Sequence, residues 1–442
     1  MIDLQSLCAE LLEIVSKESF LFLDWSPNDP DSTTLVNLAL KIRLQSTSGY
    51  SRTLDLNSEN SFSILRLIES VLSSKKVFII GYNFKSLFSY YRRVCHHEFV
   101  LSNFVDLYWF ESYRSLESSK GNLSSSIANF KSLIKNDMVY RIFANYYRDL
   151  IGKVIPAIES FQILNDDSCT VVYSNYHIEG QENGRLSCSC DKKNVFNPHS
   201  LGEEKKNLLF YNQIYRYFMQ FDYRNMEVSV LACLADDPVL LEIVQSPDNN
   251  VYSKLFERIT GLKNHEDAKN LGKKIFLPLI YGQTKNGLAK SLDISIDQAE
   301  IYYNSASKVF RKSFEFVETA QSDASANGYL EDCFQRKRYF IDGESYKARN
   351  FIIQSPSALI CLESLLKLYR EAKENFAIAF HVHDGYFLAI KKDNIEESFY
   401  VAKKILESKL SLMPNLQLKV SASLGKTLDK MILLEKRKEG VI

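Results

Sequence analysis

The sequence predicts a multidomain protein, with an α/β layer domain at its amino-terminal end followed by a larger unit of mixed helices and strands. The 442 residues are enough for two or three domains with cores of their own. The first third alternates strand-like and helix-like stretches, which is typical of an α/β layer. A stretch rich in Ser, Asn and Gly, ESSKGNLSSSIANFKS, then predicts a junction near residues 115–135.

The individual elements follow from hydrophobic periodicity and from turn residues. In the first third, strands are predicted at SFLFLDW, LALKIRLQ and KKVFIIGYN, a helix at SILRLIESVL, and a further helix in the Tyr- and Arg-rich run that follows. Farther on, YRYFMQFDYRN predicts a strand, EVSVLACLADDPVLLEIVQ a helix, and HEDAKNLGKKIFLPLIYG another helix that ends at Gly282. The segment FAIAFHVHDGYFLAI alternates apolar residues around His-Asp-Gly, which predicts a β-hairpin whose tight turn presents an acid.

Composition excludes several classes of protein. The formal net charge is zero, so any contact with DNA must come from locally clustered Lys and Arg. The eight cysteines are scattered without a CxxC pair or a Cys/His ladder, which predicts no structural zinc and favours a reducing, cytoplasmic compartment. No apolar run reaches the roughly 18–20 residues of a membrane span, and the acidic start is unlike an import peptide. We therefore expect no membrane partner and no targeting signal.

Two acids follow strongly apolar strands: Asp222 after YFMQF, and Asp384 after AIAFHVH. A carboxylate at the end of a buried strand is costly unless a positive group neutralises it, and a metal ion is one such partner. Two divalent ions held about 4 Å apart by two aspartates are a common arrangement for phosphoryl transfer. For either Asp taken alone, an ordinary turn or helix-capping role is the alternative.

Three segments resemble the polymerase motifs of the DNA polymerase I family, family A. FDYRNMEVSVLACLADDP resembles the first motif, KNLGKKIFLPLIYGQTKNGLAKSLDIS the fingers-helix motif, and HVHDG the third motif. NGRLSCSCDKKNVFNP and NFIIQSPSALI resemble two supporting segments of the same family. All five occur in the family's order between about residues 175 and 430, and this ordered set is far more specific than any single motif.

The resemblance implies a fold and a domain organisation. Residues 1–130 would form an RNase H-like, exonuclease-type α/β domain, and residues 131–175 a reduced thumb or connector. Residues 176–442 would form a right-hand polymerase with an antiparallel palm sheet and helical fingers at about 236–325. The implied activity is that of a template-directed DNA polymerase, which adds dNTPs to a primer 3′-hydroxyl by two-metal-ion phosphoryl transfer, without proofreading.

The resemblance also assigns roles near the reacting atoms. Asp222 and Asp384 would hold two Mg²⁺ ions, for which Mn²⁺ could substitute, and the Tyr223 carbonyl would be a further oxygen ligand. Lys269, Lys273, Leu277 and Tyr281 lie four apart on one face of the fingers helix. The two lysines would bind the incoming triphosphate, with Lys273 counted among the catalytic residues, and Tyr281 would stack near the templating position.

Other matched residues would contact the sugar or the DNA. Glu227 would sit against the sugar and exclude a 2′-hydroxyl. The minor groove and primer end would be lined by Arg185, Asn194, Gln354 and His383, and the cluster QRKRY would supply backbone-binding cations in Arg336 and Arg338. Each of these residues has a plain structural alternative: a solvated helix face, core packing or an ordinary surface position.

The chain departs from the family at several positions. Lys269 stands where Arg is usual, which removes a bidentate phosphate contact, and Leu277 stands where an aromatic residue is usual. Gly385 replaces the usual Glu after the catalytic Asp; we expect activity to survive, and the metal preference stays open. Leu277 predicts an altered response to 3′-deoxy terminators.

The amino-terminal third departs further from the proofreading domain that it resembles. Asp24 is kept, but Ser26 and Leu87 stand where acids are expected, and Tyr140–Ala144 lacks the acid of the third motif. We therefore expect no nuclease activity. The run MVYRIFANYYRDLIGKVIPAIESF resembles both a returning thumb helix and that third motif. In either case the thumb is reduced, which predicts low processivity or an accessory protein that supplies grip.

Two competing interpretations stay open on the sequence. A single-subunit, phage-type RNA polymerase shares the two aspartates and the fingers lysine, although Glu227 opposes it. A catalytically inactive relative that binds DNA is the other alternative, opposed by the joint presence of Asp222, Lys273, Tyr281 and Asp384. The sequence leaves open a bacterial, phage or plasmid context, and a role in replication, repair or lesion bypass.

Overall fold

The computed structural model describes residues 4–17, 20–27, 40–46, 50–56, 61–72, 78–81, 84, 87, 104–106, 149–159, 161–165, 170–177, 181–189, 197–200, 208–210, 214–247, 250–372 and 375–434. The chain divides into two compact units. Unit 1 comprises Met1–Gln162, Val172–Tyr176 and Cys190–Phe196, and unit 2 comprises Ile163–Val171, His177–Ser189 and Asn197–Ile442. The domain boundaries expected at residues 130 and 175 stay a prediction.

The described part of unit 1 contains a five-stranded mixed sheet and, near the amino-terminal end, two helices that pack on each other. Its elements are α1 (Leu4–Lys17), β1 (Phe20–Pro27), β2 (Leu40–Ser46), β3 (Ser51–Leu56), α2 (Ser61–Leu72), β4 (Phe78–Gly81), β5 (Phe104–Asp106), and α3 (Ile155–Glu159), which continues a π-helical turn at Leu150–Val154. The strand order is β3-β2-β1-β4-β5, in which β1–β2 and β2–β3 are antiparallel while β1–β4 and β4–β5 are parallel. The predicted strands and the predicted helix within residues 20–81 are confirmed.

The core of unit 1 follows the periodicity read from its sequence. Leu21 and Leu23 of β1 are buried two residues apart, as one face of a strand requires. On α1, Leu7, Leu11 and Ile14 are buried at helical spacing, and α1 packs on α2. The Tyr- and Arg-rich run and the polar junction near 115–135 lie outside the described residues.

Unit 2 contains the remaining elements. Short strands come first: β6 (Ile163–Asn165), β7 (Thr170–Val172), β8 (Tyr176–His177), β9 (Ser187–Cys188) and β10 (Leu208–Phe210), of which β7 and β8 span the border between the units. Then follow β11 (Tyr217–Tyr223), α4 (Met226–Ala235), α5 (Pro238–Val244), α6 (Val251–Thr260), α7 (Ala268–Ile280), α8 (Lys285–Leu292), α9 (Ile296–Val309), α10 (Arg311–Asn327), β12 (Tyr329–Glu331), β13 (Lys337–Tyr339) and α11 (Ala348–Ala372). The last elements are β14 (Phe376–Val382), β15 (Gly385–Ile390), α12 (Ile395–Leu406), β16 (Val420–Gly425) and β17 (Ile432–Leu433). Single 3₁₀ turns occur at Pro198–Ser200, Ser345–Lys347, Lys392–Asn394 and Leu428–Lys430.

The main sheet of unit 2 is antiparallel throughout, in the order β14-β15-β11-β16-β17. Its central strand β11 buries Phe218, Met219 and Phe221, and the predicted hairpin is formed by β14 and β15. Tyr223, the last residue of β11, contacts Ser364 of α11 at 2.7 Å and donates to the Leu406 carbonyl at 3.0 Å. The expected antiparallel palm sheet is therefore present, tied to the helices that follow it.

The predicted helix EVSVLACLADDPVLLEIVQ is wrong as a single element, because α4 and α5 are separate. Asp236 has a left-handed backbone with φ 47°, which ends α4. Asp237 then caps α5 by accepting from the Val239 and Leu240 amides, and Pro238 takes the first helical position. The next predicted helix is confirmed: α7 ends at Ile280, and Gly282 follows with φ 91°.

The long helix α11 forms the core of unit 2. Together with its 3₁₀ turn, Ser345–Ala372 is the one described helix that is long and apolar enough to cross a membrane. Of its most apolar 18-residue window, 89% is buried inside the protein, as expected of a core helix.

Candidate active site

The hairpin turn brings the two predicted acids together. Asp222, at the end of β11, pairs directly with Gly385 at the start of β15. Asp384 precedes Gly385 in the two-residue turn, and its carbonyl accepts from the Tyr223 amide at 3.4 Å. His383, the other turn residue, has φ 53°, a left-handed conformation that makes so short a turn possible. Two acids that are 162 positions apart in the chain thus share one end of the sheet.

The Asp222 carboxylate lies in an environment that suits a cation. Burial, and then the negative charge of Asp384, raise its pKa to about 6, against a hydrogen bond from Gln220 that lowers it. A divalent ion would relieve both effects, and oxygen donors are the ligands that Mg²⁺ prefers. The described residues contain no cluster of three or more His, Cys, Asp or Glu that could hold a metal. The pair of carboxylates therefore fits ions whose remaining ligands come from backbone, water or substrate oxygens.

Gly385 leaves room for the Asp222 side chain. A Cβ at position 385 would lie 2.5 Å from Asp222 Oδ1, well inside an ordinary contact. Gln220 donates to the other oxygen, Oδ2, at 2.5 Å. The carboxylate therefore lies between Gly385 and Gln220. Position 385, where the family usually has Glu, is also the position at which any side chain would overlap Asp222.

A hydrogen-bond network joins four of the predicted residues. Glu227, in the first turn of α4, accepts from the Tyr281 hydroxyl, from Arg185 Nη2 at 2.8 Å and from Gln354 Nε2 at 3.2 Å. Gln354 in turn accepts from Asn183 Nδ2 at 3.0 Å. Burial, and then the Glu227 carboxylate, raise the pKa of Tyr281 well above its ordinary value, so the phenol stays a donor. The structure thus brings Arg185, Glu227, Tyr281 and Gln354 into one cluster.

The cations of the fingers helix face solvent beside a residue that the sequence analysis missed. Lys269 and Lys273 are exposed on α7, and Leu277 is half-buried. Lys273 Nζ lies 5.9 Å from the ring centroid of Tyr252. Burial, and then the charges of Glu227 and Asp384, raise the pKa of Tyr252 to about 12. Tyr252 therefore lies near both the fingers lysine and the acids, and no motif in its segment VYSKLFERIT marked it in advance.

Three histidines lie in or beside the hairpin turn, of which only His383 was predicted. The His383 ring packs edge-on against His199, with 4.9 Å between the centroids. Burial, and then the charge of His383, lower the pKa of His199 to about 4. Burial, and then His199 and His383, lower the pKa of His381 to about 3, so both rings are neutral at physiological pH. The doubled histidine in HVHDG was the available sequence signal for His381, whereas His199 had none.

Arg336 requires a correction. Its side chain was predicted to bind the DNA backbone, but it is only 1% exposed and donates from Nη1 to the Ser355 carbonyl at 3.0 Å. A guanidinium that is buried in the core is not accessible to a DNA phosphate. Arg338 binds Glu182 and lies 5.0 Å from the Phe340 ring, and its contact with DNA stays a prediction. Asn194 lies outside the described residues.

The nuclease-like motifs can be placed only in part. Asp24 and Ser26 lie in β1, and Leu87 is fully buried. The family resemblance predicts an acid at position 87, and the chain has a buried core leucine there. The candidate third motif, Tyr140–Ala144, lies outside the described residues.

The sequence profile described as "DNA polymerase family A" matches residues 110–430. The chain is 26% identical over 226 residues to DNA polymerase I of Borreliella burgdorferi, covering 48% of this chain and 25% of that protein. It is 24% identical over 213 residues to thermostable DNA polymerase I of Thermus aquaticus, covering 45% and 26% respectively. The chain thus spans about a quarter of the length of the curated relatives it matches.

Among solved structures, the chain is similar to the POL domain of Pol1 from M. smegmatis, in complex with DNA primer-template and dNTP. The TM-score is 0.67, with 15% identity, and the match covers 97% of this chain and 99% of that one. At this identity the likeness concerns the fold.

Proposed function

The chain belongs to DNA polymerase family A, and from this premise we propose that it is a template-directed DNA polymerase that adds dNTPs to a primer 3′-hydroxyl. The observation that carries the proposal is the meeting of Asp222 and Asp384 at one end of an antiparallel sheet, beside the Glu227 cluster. In the proposed reaction the primer 3′-oxygen forms a bond to the α-phosphorus. The bond between the α-phosphorus and the oxygen that bridges the α- and β-phosphates breaks, and pyrophosphate leaves. The proton of the 3′-hydroxyl passes to solvent.

Two Mg²⁺ ions, or Mn²⁺, when bound by Asp222 and Asp384, would supply the charge that lowers the pKa of the 3′-hydroxyl and stabilises the leaving group. Lys269 and Lys273 bind the triphosphate, since both ammonium groups are exposed on one face of α7. The number and identity of the ions, and the Tyr223 carbonyl as a ligand, are part of this proposal.

The Glu227 cluster selects the sugar. Glu227 is held by three donors, so its carboxylate has little freedom to move away from an incoming 2′-hydroxyl. This supports dNTPs as substrates over rNTPs. Arg185, Gln354 and His383 lie within or beside the same cluster, and we assign them to the primer end and minor groove.

Further parts of the proposal concern unit 1 and the setting. The mixed sheet of unit 1 and the buried Leu87 support an exonuclease-type scaffold without nuclease activity. A reduced thumb, as expected from the sequence, would give low processivity or require an accessory protein. The bacterial relatives support a cytoplasmic setting with primer-template DNA and dNTPs as partners.

Primer extension tests the proposal. Purified protein with Mg²⁺, a labelled primer-template and dNTPs should extend the primer, while the Asp222→Ala and Asp384→Ala variants and a chelator should each abolish extension. Matched reactions with rNTPs should yield far less product. Retained extension by Asp222→Ala, or preferential use of rNTPs, would overturn the proposal. With Mg²⁺ and no nucleotide, the primer should stay full length.

A further inference from the structure

The buried Arg336 guanidinium joins two elements of unit 2. The guanidinium donates to the Ser355 carbonyl in α11, and the backbone amide of Arg336 donates to Asp332 Oδ1 at 2.9 Å. Asp332 also accepts from the Phe334 amide at 2.8 Å and, through Oδ2, from Ser355 Oγ at 2.6 Å. Arg336 and Asp332 are 1% and 5% exposed. A buried cation is stabilised by acceptors and by an opposite charge; here the Ser355 carbonyl accepts from the guanidinium, and burial raises the pKa of Asp332 while the positive charge of Arg336 lowers it.

A third element, the turn that contains Gly184, lies against the same guanidinium. A Cβ on Gly184 would be 1.2 Å from Arg336 Nη2 and 2.3 Å from Cζ, so the planar group is in contact with the glycine backbone. Gly184 has φ 72° and donates its amide to the Gln181 carbonyl at 2.8 Å. Only glycine meets both conditions, because a side chain would strain the backbone and overlap the guanidinium.

The residues on either side of Gly184 belong to the Glu227 cluster. Asn183 donates to Gln354, and Arg185 donates to Glu227. Arg185 and Glu227 are each less than a quarter exposed, so the pair is well defined. A shift of Gly184 would therefore move both side chains away from their partners.

We propose that Arg336 is a positioning residue, whose buried guanidinium fixes the Gly184 turn so that Arg185 and Asn183 hold Glu227 and Gln354 in place for nucleotide selection. The inference rests on the proposed polymerase function for its effect on selection. The contact between Arg336 and Gly184 does not depend on that function.

Sugar selection and salt dependence separate this role from a phosphate contact. For Arg336→Met we expect the dNTP-to-rNTP ratio of kcat/KM to fall about tenfold or more, because the Glu227 cluster loosens. The slope of primer-template affinity against salt should stay at the wild-type value, since no phosphate contact is lost. A salt slope reduced by about 0.9 with an unchanged ratio would overturn the proposal.

The matched control is Lys337→Met, which removes one positive charge from the neighbouring position on the same hairpin. Lys337 pairs with Glu331 at 3.0 Å and lies over the Tyr329 ring. The control should keep the dNTP-to-rNTP ratio. An equal loss of the ratio in the control would show a general charge effect and overturn the proposal.

A double-mutant cycle tests the contact without any activity measurement. Gly184→Ala should lower the thermal unfolding midpoint strongly in the wild-type background and much less in the Arg336→Met background, where only the backbone strain remains. Asp332→Asn combined with Arg336→Met avoids leaving a buried charge unpaired, should the single variant fold poorly. Additive midpoints in both backgrounds would overturn the contact. If the wild-type protein extends no primer, the proposed function fails, while this cycle still decides the packing of Arg336.

Discussion

Replacing Gly385 by Ala, next to Asp222 and Asp384, should lower the rate of nucleotide addition strongly while changing the stability of the protein little. The added methyl carbon would lie 2.5 Å from Asp222 Oδ1. Ordinary contacts need about 3.5 Å, so the carboxylate oxygen must move by about 1 Å. Because Gln220 holds the other oxygen, this movement also breaks the bond from Gln220 to Asp222.

The expected loss follows from the size of that displacement. A catalytic group misplaced by about 1 Å costs about 100-fold in rate, which corresponds to about 2.7 kcal/mol of transition-state free energy. The KM for dNTP should change little, because the proposed triphosphate ligands, Lys269 and Lys273, are on another element. Stability should change little, because the advantage of Ala over Gly within a strand, about 0.5–1 kcal/mol, offsets part of the loss of the Gln220 bond.

Single-turnover incorporation of one nucleotide, beside a thermal unfolding curve, measures both quantities. In the double variant Gly385→Ala with Gln220→Ala, the Asp222 carboxylate can rotate. We therefore expect the double variant to be about tenfold faster than Gly385→Ala alone. The control is Ser421→Ala. Ser421 pairs with Asp222 from the neighbouring strand and donates to its backbone carbonyl at 3.4 Å, so this change leaves the carboxylate in place and should keep the rate. A kcat for Gly385→Ala within about threefold of wild type would refute the reasoning, because Asp222 would then act from another orientation.

Three further predictions concern the cluster, the capping acid and the nuclease-like unit. Glu227→Ala should relax sugar selection, so that rNTP incorporation rises relative to dNTP by about tenfold or more; paired dNTP and rNTP kinetics measure it, and an unchanged ratio would contradict the assigned role. Asp237→Ala should lower the free energy of unfolding by about 3 kcal/mol, because it removes a helix cap and leaves the buried Ser313 amide and hydroxyl without their acceptor. Urea unfolding measures this, with the exposed Glu315→Ala as control, and a loss below about 1 kcal/mol would speak against it. Leu87→Asp should destabilise the protein by about 4 kcal/mol without creating a nuclease, because a fully buried position would receive a carboxylate; trimming of a labelled primer by this variant would show the reasoning to be wrong.

Local patterns were enough to predict much of the fold and part of the site. The strand before Asp222, the β-hairpin at Asp384 and the fingers helix ending before Gly282 depend on periodicity and turn chemistry within a few residues. The break at Asp236 and Asp237 was missed, because an apolar run on both sides outweighed a Pro at the first position of the second helix. That Pro, preceded by a capping Asp, was the signal to use.

Burial and neighbours could not be predicted from local patterns. Arg336 has the sequence appearance of a surface cation within QRKRY, and only the approach of Gly184, Asp332 and Ser355 makes it a core residue. Tyr252 likewise lies near Glu227 and Asp384 only because α6 and α7 pack closely, with the Tyr252 carbonyl against Gly272. Charge and aromatic content within a segment do not specify which side of it faces the core.

The sequence by itself determined the chemistry available to this protein: two aspartates at strand ends, a row of fingers lysines and the ordered motifs of a polymerase family. The tertiary structure decided which of these groups meet. Antiparallel pairing of β11 with β15 sets Asp222 beside Asp384, and the Gly184 turn sets Arg185 against Glu227. The physical reason is that residue type and periodicity act over a few positions, whereas a site depends on contacts between segments far apart in the chain, which packing alone selects.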